Sequence, residues 1–159
     1  LGVVLQDAQP MAGPILNNVI GARPVSVDDA WAALDAAGLG DDVRAMPMNI
    51  HTHVSADGTT LSGGQVQRLM IARALVGHPR MLLLDEATSH LDDATQTVVA
   101  DSIAGLGMTR IAIAHRLSTI RAADRIYMLG AGRVVEQGTF DELMNLDGPF
   151  AALARRQIV

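Results

Sequence analysis

From Arg80 onward the chain alternates strand-like and helix-like segments, and this alternation constrains its fold more than any other feature. Arg80 to Asp85 predicts a strand, Asp92 to Ala104 a helix capped by Asp92 or Asp93, and Arg110 to Ala114 a second strand. A short helix is expected over Leu117 to Ala122. Two more strands, Arg125 to Leu129 and Arg133 to Gln137, face each other across Gly130-Ala131-Gly132, which reads as a hairpin turn. Helices over Thr139 to Asn145, capped by Thr139, and over Pro149 to Gln157 close the series. Strands alternating with helices imply an α/β fold with parallel strands. Ile111-Ala112-Ile113-Ala114 is apolar throughout, the pattern of a strand in a covered sheet.

The first half reads differently. Leu1 to Leu5 predicts a short buried strand. A loop follows to Gly13, and Pro14 can open a short helix at its first turn. Ser26-Val27-Asp28-Asp29 has capping-box spacing with Asp in place of the usual Glu. That helix should run to about Ala37 and close at Gly38. A second short helix is expected over Asp41 to Met46, and residues 47–60 are loop-like. A helix from Gly64 to Val76 is stopped by Gly77 and Pro79. The resulting division is a core strand at 1–5, a helical subdomain at 6–79 and a second core segment at 80–159.

Two short motifs carry chemistry. Leu61-Ser62-Gly63-Gly64-Gln65 stands at the start of a helix, where unpaired backbone N–H groups can receive a phosphate. Ser62 adds a hydroxyl, and the glycines let backbone approach closely. The helix dipole favours an anion there by ~0.3–1 kcal/mol. Further on, Met81-Leu82-Leu83-Leu84-Asp85-Glu86 is a strand ending in two acids, one suited to a metal and the next to a water. Together they imply ATP chemistry. Yet Lys and Arg together number 12, and all are Arg. A chain without lysine lacks the lysine of a phosphate loop, so only half of an ATP site is present. Leu1 begins inside a strand-like run, which reads as a piece of a longer polypeptide.

The bulk properties exclude other classes. Aromatic residues make up 3% of the chain, so the core must rest on Leu, Ile, Val, Ala and Met. A net charge of -5 argues against broad nucleic-acid binding, which needs a basic face. With no cysteine there is no disulfide and no thiolate metal site. No apolar run approaches the ~20 residues that span a bilayer. His51 and His53 resemble metal ligands, but no further ligand has an obvious spacing.

With these motifs in their order, the chain resembles the ATP-binding cassette family, in the branch found in exporters. The resemblance covers essentially its whole length, from Gln6 to the C-terminal helices. It implies a partial P-loop NTPase core with a mostly parallel sheet and an α-helical subdomain. By resemblance, Gln6 is the glutamine-loop residue that touches Mg2+ and its water. Leu61, Ser62, Gly63, Gly64 and Gln65 form the signature motif, which caps ATP held by a partner's phosphate loop. Asp85 holds Mg2+ through water, and Glu86 polarises the attacking water. Ser89, Leu91 and Asp92 belong to the loop that meets the partner domain, where His90 replaces a usual small residue. His115 matches the switch histidine that reaches the γ-phosphate.

The exporter branch is suggested by His115-Arg116-Leu117-Ser118-Thr119-Ile120, by Ala123-Asp124-Arg125-Ile126 and by Gly138-Thr139-Phe140-Asp141-Glu142-Leu143. The chain departs from the branch at Asn49, where Gly is common, at Pro14, where Ser is common, and at Val66, where Arg or Lys is common. Asn tolerates the left-handed backbone that Gly would adopt. The pattern is most like bacterial peptide or bacteriocin exporters.

The resemblance implies ATP and Mg2+ as cofactors, a second nucleotide-binding domain as partner, and a transmembrane domain fused N-terminally in the parent protein. The site of action would be the cytoplasmic face of the plasma membrane, and the cargo a peptide, lipid or drug-like molecule. Two alternatives compete: a catalytically incompetent partner that supplies only a signature motif, and a soluble family member outside transport.

Overall fold

A computed structural model describes residues 1–56, 59–87 and 91–156. The chain divides into two compact units, Leu1–Ile113 and Ala114–Val159.

The first unit holds a parallel sheet and a helical cluster. Strands β1 (Gly2–Val4), β4 (Met81–Asp85) and β5 (Thr109–Ile113) pair in the order β1-β4-β5, all parallel. Val4 lies opposite Leu84, and Asp85 opposite Ile113. The helices are α1 (Ile15–Ile20), α2 (Val27–Ala36), α3 (Gly40–Ala45), α4 (Gly63–Leu75) and α5 (Asp93–Ala104). Ser26 and Asp29 form the expected capping box on α2, and Gly38 beyond that helix has φ +66°. Ile15, Leu34, Leu39, Leu69 and Ile71 are fully buried, and Leu82 of β4 joins their cluster. Helix α4 lies directly on β1: a Cβ on Gly2 would come within 2.6 Å of the Ala74 carbonyl oxygen, so only glycine fits.

The second unit is the hairpin of β6 (Ile126–Gly130) and β7 (Arg133–Gly138) with helices α6 (Leu117–Arg121), α7 (Phe140–Asn145) and α8 (Pro149–Arg156). Ala131 and Gly132, at φ +48° and +75°, give the left-handed pair that a tight two-residue hairpin requires. Leu143, Phe150 and Ala154 form its core, with Phe140 and Phe150 edge to face at 5.7 Å.

Three expectations differ from this architecture. Residues 1–5 were expected to be buried, but Leu1, Val3 and Leu5 are exposed and only Gly2 and Val4 are buried. Strand β5 is exposed along its length, with Ile111 at 49% and Ile113 at 52%. It pairs with β4 along one edge, while α4 packs on β1 rather than on β5. An apolar sequence marks a strand fit for covering; it does not supply the cover. The described residues of 47–60 also include regular structure where a loop was expected. They contain a short 3-10 helix, Asn49–His51, and strand β3 (His53–Val54), which pairs antiparallel with β2 (Gly13–Pro14). Asn49 takes the left-handed conformation expected of it, φ +54°.

Candidate functional site

The signature residues sit where α4 begins. Ser62 is the N-cap: its Oγ accepts from the Gln65 amide at 3.2 Å, and the Ser62 amide donates to Gln65 Oε1 at 3.0 Å. This capping box satisfies two of the four donors orphaned at a helix start. The amides of Gly63 and Gly64 are not used by the box; Gly63 is exposed and Gly64 half-buried. The Ser62 hydroxyl, having accepted one bond, still has its own proton to donate. A Cβ on Gly63 would meet nothing within 4 Å. Packing inside this chain therefore does not require glycine there. Leu61 is buried in the core and anchors the motif. Arg68, one turn on, donates to the Gly38 carbonyl at 2.6 Å and pairs with Asp42 at 2.8 Å, tying α4 to the end of α2 and to α3.

The acids stand at the carboxyl end of the parallel sheet, where ligands of open α/β sheets bind. Asp85 ends β4 and is half-buried. Glu86 follows with φ +49°, an uncommon conformation for a residue with a side chain. It is held by a hydrogen bond from its amide to the Ile113 carbonyl at 3.1 Å. Such strain costs ~1–3 kcal/mol and persists where surrounding structure imposes it, often at a functional site. Gln6 is exposed and lies just past β1, at the same end of the sheet as Asp85 and Glu86.

A carboxylate and an amide oxygen at one sheet end suit Mg2+, which takes one or two protein oxygens alongside waters and phosphate. Among the described residues, no group of three or more His, Cys, Asp or Glu could hold a metal ion. The donor set fits a metal that arrives with phosphate and is not held by protein alone.

The remaining expected residues take other places. Leu91 is buried in the first unit's core. Asp92 caps α5, accepting from the Thr95 amide at 2.9 Å and the Thr95 hydroxyl at 2.7 Å. These bonds, the amide's first, hold its carboxyl below the ordinary value. Ser89, with its neighbour His90, lies outside the described residues. His115 is exposed and opens the second unit, two residues after β5 ends.

Sequence reasoning missed one group. Asn18, almost fully buried on α1, and Arg73, in the last turn of α4, form a hydrogen-bonded node. Neither matched a motif, and no local signal marks them. The Gln65 role in the capping box was legible in the Ser-x-x-Gln spacing.

The sequence pattern of the ABC transporter family matches residues 1–89. Among curated proteins, the chain is 44% identical over 163 residues to multidrug resistance protein 1 of Entamoeba histolytica, covering 99% of this chain and 12% of that protein. It is 45% identical over 159 residues to the ATP-dependent lipid A-core flippase of Paraburkholderia xenovorans, covering 99% of this chain and 27% of that protein. Among solved structures, it matches a bacterial Atm1-family ABC exporter with ATP bound at a TM-score of 0.95 and 38% identity, over 99% of this chain and 28% of that one. The chain thus spans only a small share of the relatives it matches.

Proposed function

The chain belongs to the ABC transporter family, and on that premise we propose that it is the signature-bearing half of an ATP-binding and ATP-hydrolysing domain that powers export. The observation that carries this reading is the strained Glu86, held at the end of β4 beside Asp85 and at the Gln6 end of the sheet. Glu86 is the base that orients and polarises the attacking water. Asp85 and Gln6 offer the oxygens that would hold Mg2+, which when bound neutralises charge on the phosphates. His115 contacts the transferring phosphate group. Phosphoryl transfer asks for this positioning more than for covalent chemistry by the protein.

The signature end of α4 serves a different nucleotide. The amides of Gly63 and Gly64, with the Ser62 hydroxyl, cap ATP bound mainly by the phosphate loop of a second nucleotide-binding domain. Leu91 and Asp92 belong to the segment that meets that domain, and the sequence resemblance alone assigns Ser89 to it. An attached transmembrane domain then places the chain at the cytoplasmic face of a membrane; among the described residues no helix is long and apolar enough to cross one. The likeness to a multidrug resistance protein, to a lipid A-core flippase and to a solved ABC exporter favours an exporter over a soluble family member.

The test is ATP hydrolysis by the full-length protein with and without Glu86→Gln. The substitution should lower the rate by ~10²–10⁴-fold. An unchanged rate sinks the mechanism. In calorimetry, these 159 residues alone should show no micromolar ATP binding, because they contain no phosphate-loop lysine. Tight binding without a partner would show that the signature half holds nucleotide by itself.

A further inference from the structure

Helix α4 carries the signature motif at one end and a partly buried polar clasp at the other. Arg73, in its last turn, donates from Nε to the Asn18 backbone carbonyl at 2.6 Å and from Nη2 to Asn18 Oδ1 at 2.6 Å. Its Nη1 reaches the Gln9 carbonyl at 3.5 Å. Asn18 passes the connection on. Its Oδ1 accepts from the Met11 amide at 2.8 Å, and its Nδ2 donates to the Met11 carbonyl at 2.8 Å and to the Pro14 carbonyl at 3.2 Å. One guanidinium and one amide thereby fasten the stretch from Gln9 to Pro14 to α4. This stretch follows Gln6 and forms no helix. Arg23 completes the node by donating to the Arg73 carbonyl at 3.1 Å.

The chemistry of the clasp is specific. Asn18 is 1% exposed and uses both halves of its amide. Arg73 uses its planar fork on two oxygens of one residue, which lysine cannot copy. Burial, and then the charge of Arg23, pull the Arg73 pKa below its ordinary value, yet a guanidinium stays charged. Asn18 is the buried member of the node and Arg73 is half-buried, so removing the Asn18 donor leaves buried carbonyl partners unpaired, which is costly. Gly63 and Arg73 are separated by about 15 Å along a straight helix. The clasp and the signature motif thus sit on one continuous helix with no break between them.

We propose that Asn18 and Arg73 are positioning residues that lock the segment after Gln6 to the signature helix, so that the placement of that segment sets the placement of the signature motif. This rests on the reading of Leu61–Gln65 as a nucleotide cap.

The test uses the full-length protein with its partner domain and measures ATP hydrolysis at varied ATP for Asn18→Asp, Gly63→Ala and the double variant. Asn18→Asp keeps an oxygen for Arg73 but replaces the donor to Met11 and Pro14 with a second acceptor. It should lower kcat about tenfold while KM for ATP changes less than about twofold. The double variant should fall by less than the product of the two single losses, because both act on one signature placement. Sites this far apart are otherwise additive. Additive losses, or a kcat loss that only tracks the folded fraction by circular dichroism, overturn the proposal. Arg73→Lys provides a second entry if Asn18→Asp does not fold: it should give an intermediate kcat loss with the same non-additivity, and additivity there also overturns it. If Glu86→Gln leaves hydrolysis unchanged, the functional reading fails. If Glu86→Gln abolishes hydrolysis and the double variants are additive, only the clasp proposal fails.

Discussion

Helices α1, α2 and α4 and strands β1, β4 and β5 share one unit, yet they are finished to different degrees. Ile15 and Val19, Leu34, and Leu69 and Ile71 leave no apolar surface to water at the centre of the helical cluster. Across the sheet, Val3, Met81, Ile111 and Ile113 remain exposed. The contrast follows the chemistry. The signature motif rides on the finished cluster, where its capping box and the buried Leu61 hold its local shape. The acids ride on a sheet with an open face, and the chain lacks the lysine that a complete phosphate site would use. On the proposed reading, the residues that would cap a partner's nucleotide sit on the finished cluster, whereas the acids proposed for hydrolysis sit on the open sheet.

The contrast can be broken most sharply by truncating matched apolar residues. Leu69→Ala should cost ~2–5 kcal/mol of stability in denaturant unfolding, since its side chain is enclosed and would leave a cavity. Ile111→Ala on the exposed strand should cost about 0.5 kcal/mol or less in these 159 residues. Equal losses would mean that the sheet is as well supported as the cluster.

A smaller effect separates function from packing at the signature. Gly63→Ala introduces a Cβ that meets nothing within 4 Å, so the thermal midpoint should stay the same. ATP hydrolysis by the full-length protein should still drop, by about tenfold, equivalent to ~1.4 kcal/mol. If hydrolysis is unaffected, the open glycine faces no nucleotide.

The smallest expected effect concerns Asp92, fully exposed and held below its ordinary pKa mainly by the Thr95 amide. A carboxyl depressed by folding contributes stability above its unfolded pKa and loses it as pH falls through the folded one. The unfolding midpoint should therefore decline below roughly pH 4. Asp92→Asn should be slightly less stable at neutral pH and show a shallower acid decline. An identical acid profile would assign that decline to other capping carboxylates, such as Asp29, which Ser26 holds low, and Glu142, held low by Thr139.

Much of this was legible because it is local. The boxes at Ser26-Asp29, Ser62-Gln65 and Thr139-Glu142 each close within three residues, so spacing alone announces them. The hairpin turn at Ala131-Gly132 is equally short-range. What escaped was long-range. Strands β2 and β3 are two residues each and pair across the whole of α1, α2 and α3. Arg73 meets Asn18 across a separation of 55 residues. The left-handed Glu86 donates its amide to the Ile113 carbonyl of β5, a partner far away in sequence.

By itself the sequence determined the α/β class, the helix starts and the identity of the chemical groups, because propensity, capping and motif chemistry act over a few residues. The tertiary structure alone decided which strand edges stay open, which backbone is strained and how Arg73 binds the signature helix to the segment after Gln6. Those outcomes depend on contacts between residues far apart in the chain, where burial and hydrogen bonding take effect only once the elements have met.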